Sequence, residues 1–184
     1  MCHYITAVLP KSAPHEEIDL LAQKFGRQFK LLSNPSIESQ IQPSEAYFLT
    51  TRGYCDCGTP LGALRPNKGK RKSLDVAMHE KQMRQKGWSE AKIARSLSQK
   101  LDKISQVNEA AFKSNSNQTS NWRMLISELL DSGKTAYIGL LVHYYSGSLE
   151  SRIEVSGRIT ARMSDVSSEY LGTMQEDVLY EFRK

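Results

Sequence analysis

The sequence predicts an α+β fold, with a small, mostly antiparallel sheet and a helical segment in the middle of the chain. Three observations carry this expectation. Strand-prone runs gather towards both ends, helical periodicity concentrates between residues 65 and 131, and strands and helices do not alternate as a doubly wound parallel sheet requires. The 184 residues suffice for one domain with a real core, 1–184, with 65–131 as a basic helical segment within it.

The first strand is read over residues 2–9, where Tyr4, Ile5, Thr6, Val8 and Leu9 favour extended backbone and Pro10 ends the run. Ser12 is an expected N-cap, with Pro14 in the first turn. Glu16 and Glu17 suit the positive end of the helix, and Ile18, Leu21, Ala22 and Phe25 share one face. Gly26 is placed to stop that helix. A short strand near 29–32 follows, then a loop rich in Ser, Asn and Pro, then a buried strand at 46–51.

Ser73 is an expected cap for a helix ending at Gly87, and Trp88, Ser89 and Ile93 suggest a staple around the next N-cap. Ile93, Leu97, Leu101, Ile104 and Ala111 then mark one helical face. The polar run "SNSNQTSN", 114–121, reads as a break before a shorter helix carrying Trp122, Leu125, Ile126 and Leu129. Two strands, near 135–145 and 152–163, are expected to pair antiparallel. The last stretch, 167–184, fits both periods, and a helix is the expectation there.

Composition narrows the function. The start "MCHYITAVLP" lacks a basic leader and an apolar run of secretory length, and "AYIGLLV" is far shorter than a membrane span, so a cytoplasmic protein without membrane contact is expected. Three cysteines, an odd number, argue against a disulfide framework. Residues 65–103 hold 12 Lys and Arg against 4 acidic residues, a local balance of +8, while the remainder of the chain balances to −3. That region is an expected contact for an anionic partner, against the plainer account of solvated helix surfaces.

The chemistry concentrates in "RGYCDCGTPLG", 52–62. Thiolates hold zinc well, and structural sites take four Cys or His ligands, commonly from two close pairs. Cys55 and Cys57 are one pair, though a single intervening residue is a weaker signal than two; Cys2 with His3 is the other. Alternation along extended backbone sends Cys55 and Cys57 the same way and Cys2 and His3 opposite ways. Convergence therefore depends on topology. If the first strand runs antiparallel to 46–51, its start lies beside the end of that strand and Cys2 approaches the pair. The candidate metal ligands are Cys2, Cys55, Cys57 and His3, with zinc the cofactor; His79 and His143 rank after His3 for the fourth place.

Other uses of these residues are a redox pair, disfavoured by the strained ring that C-x-C would close, and an N-terminal nucleophile exposed by loss of Met1. Buried small side chains without chemistry are the plain alternative. The connector "RPNKGKRKS" offers Lys68, Lys70, Arg71 and Lys72 as anion-binding residues, but its glycines lack P-loop spacing. "KGWSEAKIARSLSQ" starts like a helix-turn-helix but shows no turn before a recognition helix. G-x-S-x-G, H-E-x-x-H and a dinucleotide fingerprint are all absent from the sequence. His143, Tyr144 and Tyr145 would either line a pocket with Tyr137 or pack a sheet face.

The function expected is a binding protein acting by macromolecular contact. Its specific form is one that neutralises a protein partner, as an immunity protein does, with a structural zinc. The alternatives are nucleic-acid binding through 65–103 and an enzyme dependent on cysteine or metal.

Overall fold

A computed structural model describes residues 2–57, 61 and 75–184, within which 107–117 is described as helical backbone. Six strands form one sheet: β1 Cys2–Pro10, β2 Lys30–Leu31, β3 Glu45–Leu49, β4 Tyr137–Tyr145, β5 Gly157–Arg162 and β6 Val178–Arg183. Their order is β2-β3-β1-β4-β6-β5. Neighbours are antiparallel except β5 and β6, which run parallel. The α+β class is thus as expected, with a sheet larger than a small one and mixed at one edge.

The helices are α1 His15–Gln23, α2 Pro35–Glu38, α3 Val76–Gln85, α4 Glu90–Asp131 and α5 Ser168–Gly172. By its internal contacts the chain divides into two units. Met1–Leu64 with Ser116–Lys184 make the first, and Arg65–Asn115 the second. In the first unit the odd positions of β1 (Ile5, Ala7, Leu9) join Phe48, Leu140, Val142, Tyr180 and Phe182 beneath α1 and the last turns of α4, with Trp122, Leu125, Ile126 and Leu129 buried there. Val8, Tyr47, Leu141, Tyr145 and Leu179 face the other way and are covered by Ile37 and Ile153. Alternation along the pleat makes this split, and burial on both faces makes β1 and β4 nearly continuous apolar runs. In the second unit Met83, Ile93 and Leu97 bury one another beside Trp88.

Several expectations change. The 114–121 run is helix, not break: α4 is continuous through it. Ser and Asn cost a helix only some tenths of a kcal/mol each, and no Gly or Pro interrupts residues 90–131, so two amphipathic halves carry the helix across. Of the expected stripe, Ile93 and Leu97 are buried but Leu101 is exposed. Helix α1 begins after Pro14 without a side-chain cap, in place of Ser12. For α3 the cap is Asp75, which accepts from the Met78 N–H; Ser73 lies outside the described residues. The loop after β2 contains α2, capped by Asn34.

Strands β4 and β5 are not partners, because β6 lies between them. The connection 146–156 is not a hairpin turn. The Asn34 side chain donates to the carbonyls of Leu149 and Ser151, and the Ser36 hydroxyl and the Gln40 side-chain Oε1 accept from the Ile153 and Val155 N–H groups. The C-terminal residues split into α5 and β6, so the helix expected over 167–184 survives for one turn. A central strand packed on both sides needs Val178, Tyr180 and Phe182 for one core and Leu179 for the other, which imitates helical spacing.

Flat, β3 and β5 would stand about 19 Å apart at the usual strand spacing. Yet Arg158 of β5 reaches Glu45 of β3, Nη2 to Oε1 2.5 Å, while also binding Glu181 of β6. The sheet therefore curls around its second core and closes with an ion cluster. Tyr137 Oη donates to Glu45 Oε1 at 2.7 Å, and Arg183 Nε to Glu181 Oε1 at 2.5 Å. Burial alone would raise the Glu45 carboxyl, but hydrogen bonds from Arg158, Tyr137 and the Gln42 N–H hold it below its ordinary value. A carboxylate lowered on folding stabilises the fold above its unfolded pKa, about 4.3 for Glu, and that contribution disappears as pH falls through the lower folded value. Urea midpoints measured from pH 7 downwards are accordingly expected to hold near neutrality and to drop below about pH 4.5. Replacing Glu45 by Gln should flatten that acid limb.

Candidate metal centre

Strand β1 is longer than its partner. The register runs from Pro10↔Glu45 to Thr6↔Leu49, leaving the first residues of β1 without a strand on that edge. The chain after Leu49 supplies what is missing. Thr50 Oγ1 donates to the Ile5 carbonyl at 2.6 Å, and the Asp56 N–H donates to the His3 carbonyl at 2.8 Å. The His3 N–H points at Cys57 Sγ, 3.1 Å away. This is the antiparallel arrangement on which convergence depended, and Cys2, Cys55 and Cys57 meet: their sulfurs lie within 4.8 Å of one another. All three are reduced and of intermediate burial.

Asp56, between the pair, anchors the turn. It is 2 % exposed and accepts from the Ile5 N–H (2.9 Å), the Thr51 hydroxyl and Arg27 Nη1 (2.5 Å). Arg27 in turn stacks over Trp122, 4.4 Å from the ring centre. One residue of C-x-C therefore ties the loop to β1, to the end of α1 and to the helical layer, while its neighbours present sulfur outward. Tyr4 Oη donates to the Tyr54 carbonyl at 2.7 Å and closes the turn from the other side.

The thiols influence one another. Burial opposes ionisation of Cys57, but the His3 N–H, Cys55, the His3 side chain and Cys2 bring its thiol down to about 7. The Cys57 backbone lowers Cys55, yet the Cys57 side chain, burial and Cys2 outweigh that and push the Cys55 thiol up. Burial and the three sulfurs raise the Tyr4 phenol. One thiolate forms readily and resists a second beside it, a conflict that a cation at the centre removes.

Of the remaining predicted ligands, the His3 imidazole falls outside the 4.8 Å cluster; its Nε2 binds Glu176 and its ring lies 4.8 Å from that of Tyr144. His143 is held by Asp177 and stands edge-on to Tyr145. His79 belongs to the second unit, against Lys100. Tyr145 is buried and hydrogen-bonded to Tyr47, so these strand-end aromatics pack. Lys68, Lys70, Arg71 and Lys72 lie outside the described residues. Asp56 and Glu176 escaped the sequence reading. An acid flanked by two cysteines just past a strand end was a local hint for the first, whereas Glu176, 173 positions from His3, had none.

No family model, curated protein or solved structure matches this chain. Fold and site together define an α+β protein with a three-thiol cluster suited to a metal ion. Among the described residues no helix is long and apolar enough to cross a membrane.

Proposed function

We propose that this chain is a zinc-stapled binding protein: Cys2, Cys55 and Cys57 hold the ion, and the work is done by contact with a macromolecular partner. The observation that carries the reading is the approach of three sulfurs from two distant segments to within 4.8 Å of one another. Three thiolates favour zinc or a comparably soft ion over magnesium or calcium. The staple would join the start of β1 to the turn after β3, where backbone pairing is thinnest. For the contact surface, Lys81 and Arg84 on α3, Lys86 just after it, and Lys92, Arg95, Lys100 and Lys103 on the first turns of α4 are all exposed, which suits an acidic protein face, as in a neutralising partner of immunity type. A cytoplasmic setting fits reduced thiols.

Metal analysis of the purified full chain tests the staple. One zinc per chain is expected, lost with a strong chelator and sharply reduced in Cys57→Ser. Fewer than about 0.1 equivalents after zinc reconstitution under reducing conditions sinks the idea. One arrangement favours a second reading, that of a cysteine enzyme: the His3 backbone N–H donates to Cys57 Sγ while the His3 imidazole is bound to Glu176, so a thiol, an imidazole and a carboxylate gather around one residue. That reading expects selective alkylation of Cys57 regardless of chelator, whereas a metal staple expects protection until the ion is removed.

A further inference from the structure

The geometry points to His3 as the fourth ligand, through Nδ1, and to Glu176 as the residue that positions it, which makes the centre a closed site of three sulfurs and one nitrogen. This rests on the metal reading above. His3 is 2 % exposed, and its Nδ1 is a buried atom with no hydrogen-bond partner. Buried polar atoms are nearly always satisfied, so an orphan imidazole nitrogen on the residue whose N–H meets Cys57 calls for an occupant. The other nitrogen, Nε2, is bound to the Glu176 carboxylate. Ligating histidines are oriented in this manner: Nε2–H donates to the carboxylate, which holds the proton on Nε2 and leaves Nδ1 as the lone-pair donor. His3 already touches the cluster through its backbone, whose N–H donates to Cys57 Sγ at 3.1 Å.

Alternation along β1 turns the Cys2 side chain and the His3 imidazole to opposite faces. The Cys55–Cys57 turn, however, lies at the strand's edge, where both faces are within reach. Tetrahedral zinc with bonds of about 2.3 Å to sulfur sets its sulfurs about 3.8 Å apart. The three thiols must therefore close up around the ion, and Nδ1 moves in with them. Among the described histidines, His3 is the one with a buried ring nitrogen left without a partner. A closed four-ligand centre has no open position for substrate water, so its role is structural.

Cobalt and zinc binding to the full chain test this. The cobalt-loaded wild-type protein is expected to show tetrahedral ligand-field bands together with the sulfur charge-transfer bands of a site with three sulfur ligands and one nitrogen. His3→Ala should bind zinc on the order of 100-fold more weakly, since a four-ligand structural site divides its binding free energy into roughly two decades per ligand. Its cobalt bands should shift and return towards wild type when imidazole is added. Glu176→Gln should cost about 10- to 100-fold in affinity, with the apo protein's circular dichroism and melting unchanged. Glu176 is 34 % exposed, so this variant decides the matter if His3→Ala does not fold. Wild-type affinity and wild-type cobalt bands in the variants would overturn the role of His3. Absence of metal binding by the wild-type protein would instead overturn the parent reading.

Discussion

Asp56→Ala is expected to destabilise the first unit by about 3–5 kcal/mol, the usual cost of removing one partner from a buried ion pair. Asp56 has little access to water and satisfies three donors at once: the Ile5 N–H, the Thr51 hydroxyl and the Arg27 guanidinium. Its loss leaves Arg27, 15 % exposed and pressed against Trp122, as a buried cation without its counter-ion. The Ile5 N–H, within β1, also loses its acceptor. At roughly 2–4 °C per kcal/mol for a chain of this size, the melting temperature should fall by about 10 °C. Asp56→Asn keeps acceptor geometry for Ile5 and should cost less. The effect should also reach the sulfurs, because the turn that aims Cys55 and Cys57 is held by Asp56. Zinc affinity is expected to drop together with stability, whereas Ser substitution of the cysteines should lower affinity with little change in the melting of the apo protein. A melting shift below about 3 °C for Asp56→Ala would show that Asp56 is not the anchor.

The same anchor explains how much of the site was legible in the sequence. The cysteines could be named because thiols are rare and chemically distinct. The topology on which their meeting depends stays open at that level: the strand-prone runs at 2–9 and 46–51 can pair antiparallel or parallel, and only the antiparallel pairing found in the fold brings Cys2 to the pair. What holds them there was hidden, since Asp56, Arg27 and Glu176 are ordinary charged residues that acquire meaning only through contacts 29 to 173 positions apart in sequence. The errors in the fold have a related cause. In α4, tolerable local propensities were read as a break, although packing of Trp122, Leu125 and Ile126 at one end and Ile93 and Leu97 at the other supports the helix. In β6, burial on two faces erased the alternation that identifies a strand. Local pattern reports one buried face well; it fails where two faces are buried or where an element is sustained from its ends.

Arg158→Met should cost a similar 3–5 kcal/mol at neutral pH, and its dependence on acidity should run opposite to that of the wild-type protein. Arg158 lies between Glu45 and Glu181, whose side chains are almost wholly buried, and is their shared counter-charge across the curled sheet. Without it Tyr137 and the Gln42 N–H still serve Glu45, and Arg183 still serves Glu181, but two carboxylates face one another in a nearly dry space. For Glu45 burial is the largest influence and acts to raise the carboxyl; hydrogen bonding to Arg158 is the first influence that opposes it. Removing the arginine is therefore expected to let burial prevail and carry the folded pKa from below the unfolded value to above it. A carboxyl raised on folding weakens the fold while ionised, and that penalty is relieved as pH falls through the raised folded pKa towards the unfolded value. Between pH 7 and about pH 5 the variant should thus gain stability while the wild type stays level, so that their urea midpoints converge. A pH-independent gap would mean that the loss comes from packing of the arginine stem, not from uncompensated charge. Arg158→Lys separates the two further: it keeps the charge but not the fork that reaches both carboxylates, and should fall between the others at every pH.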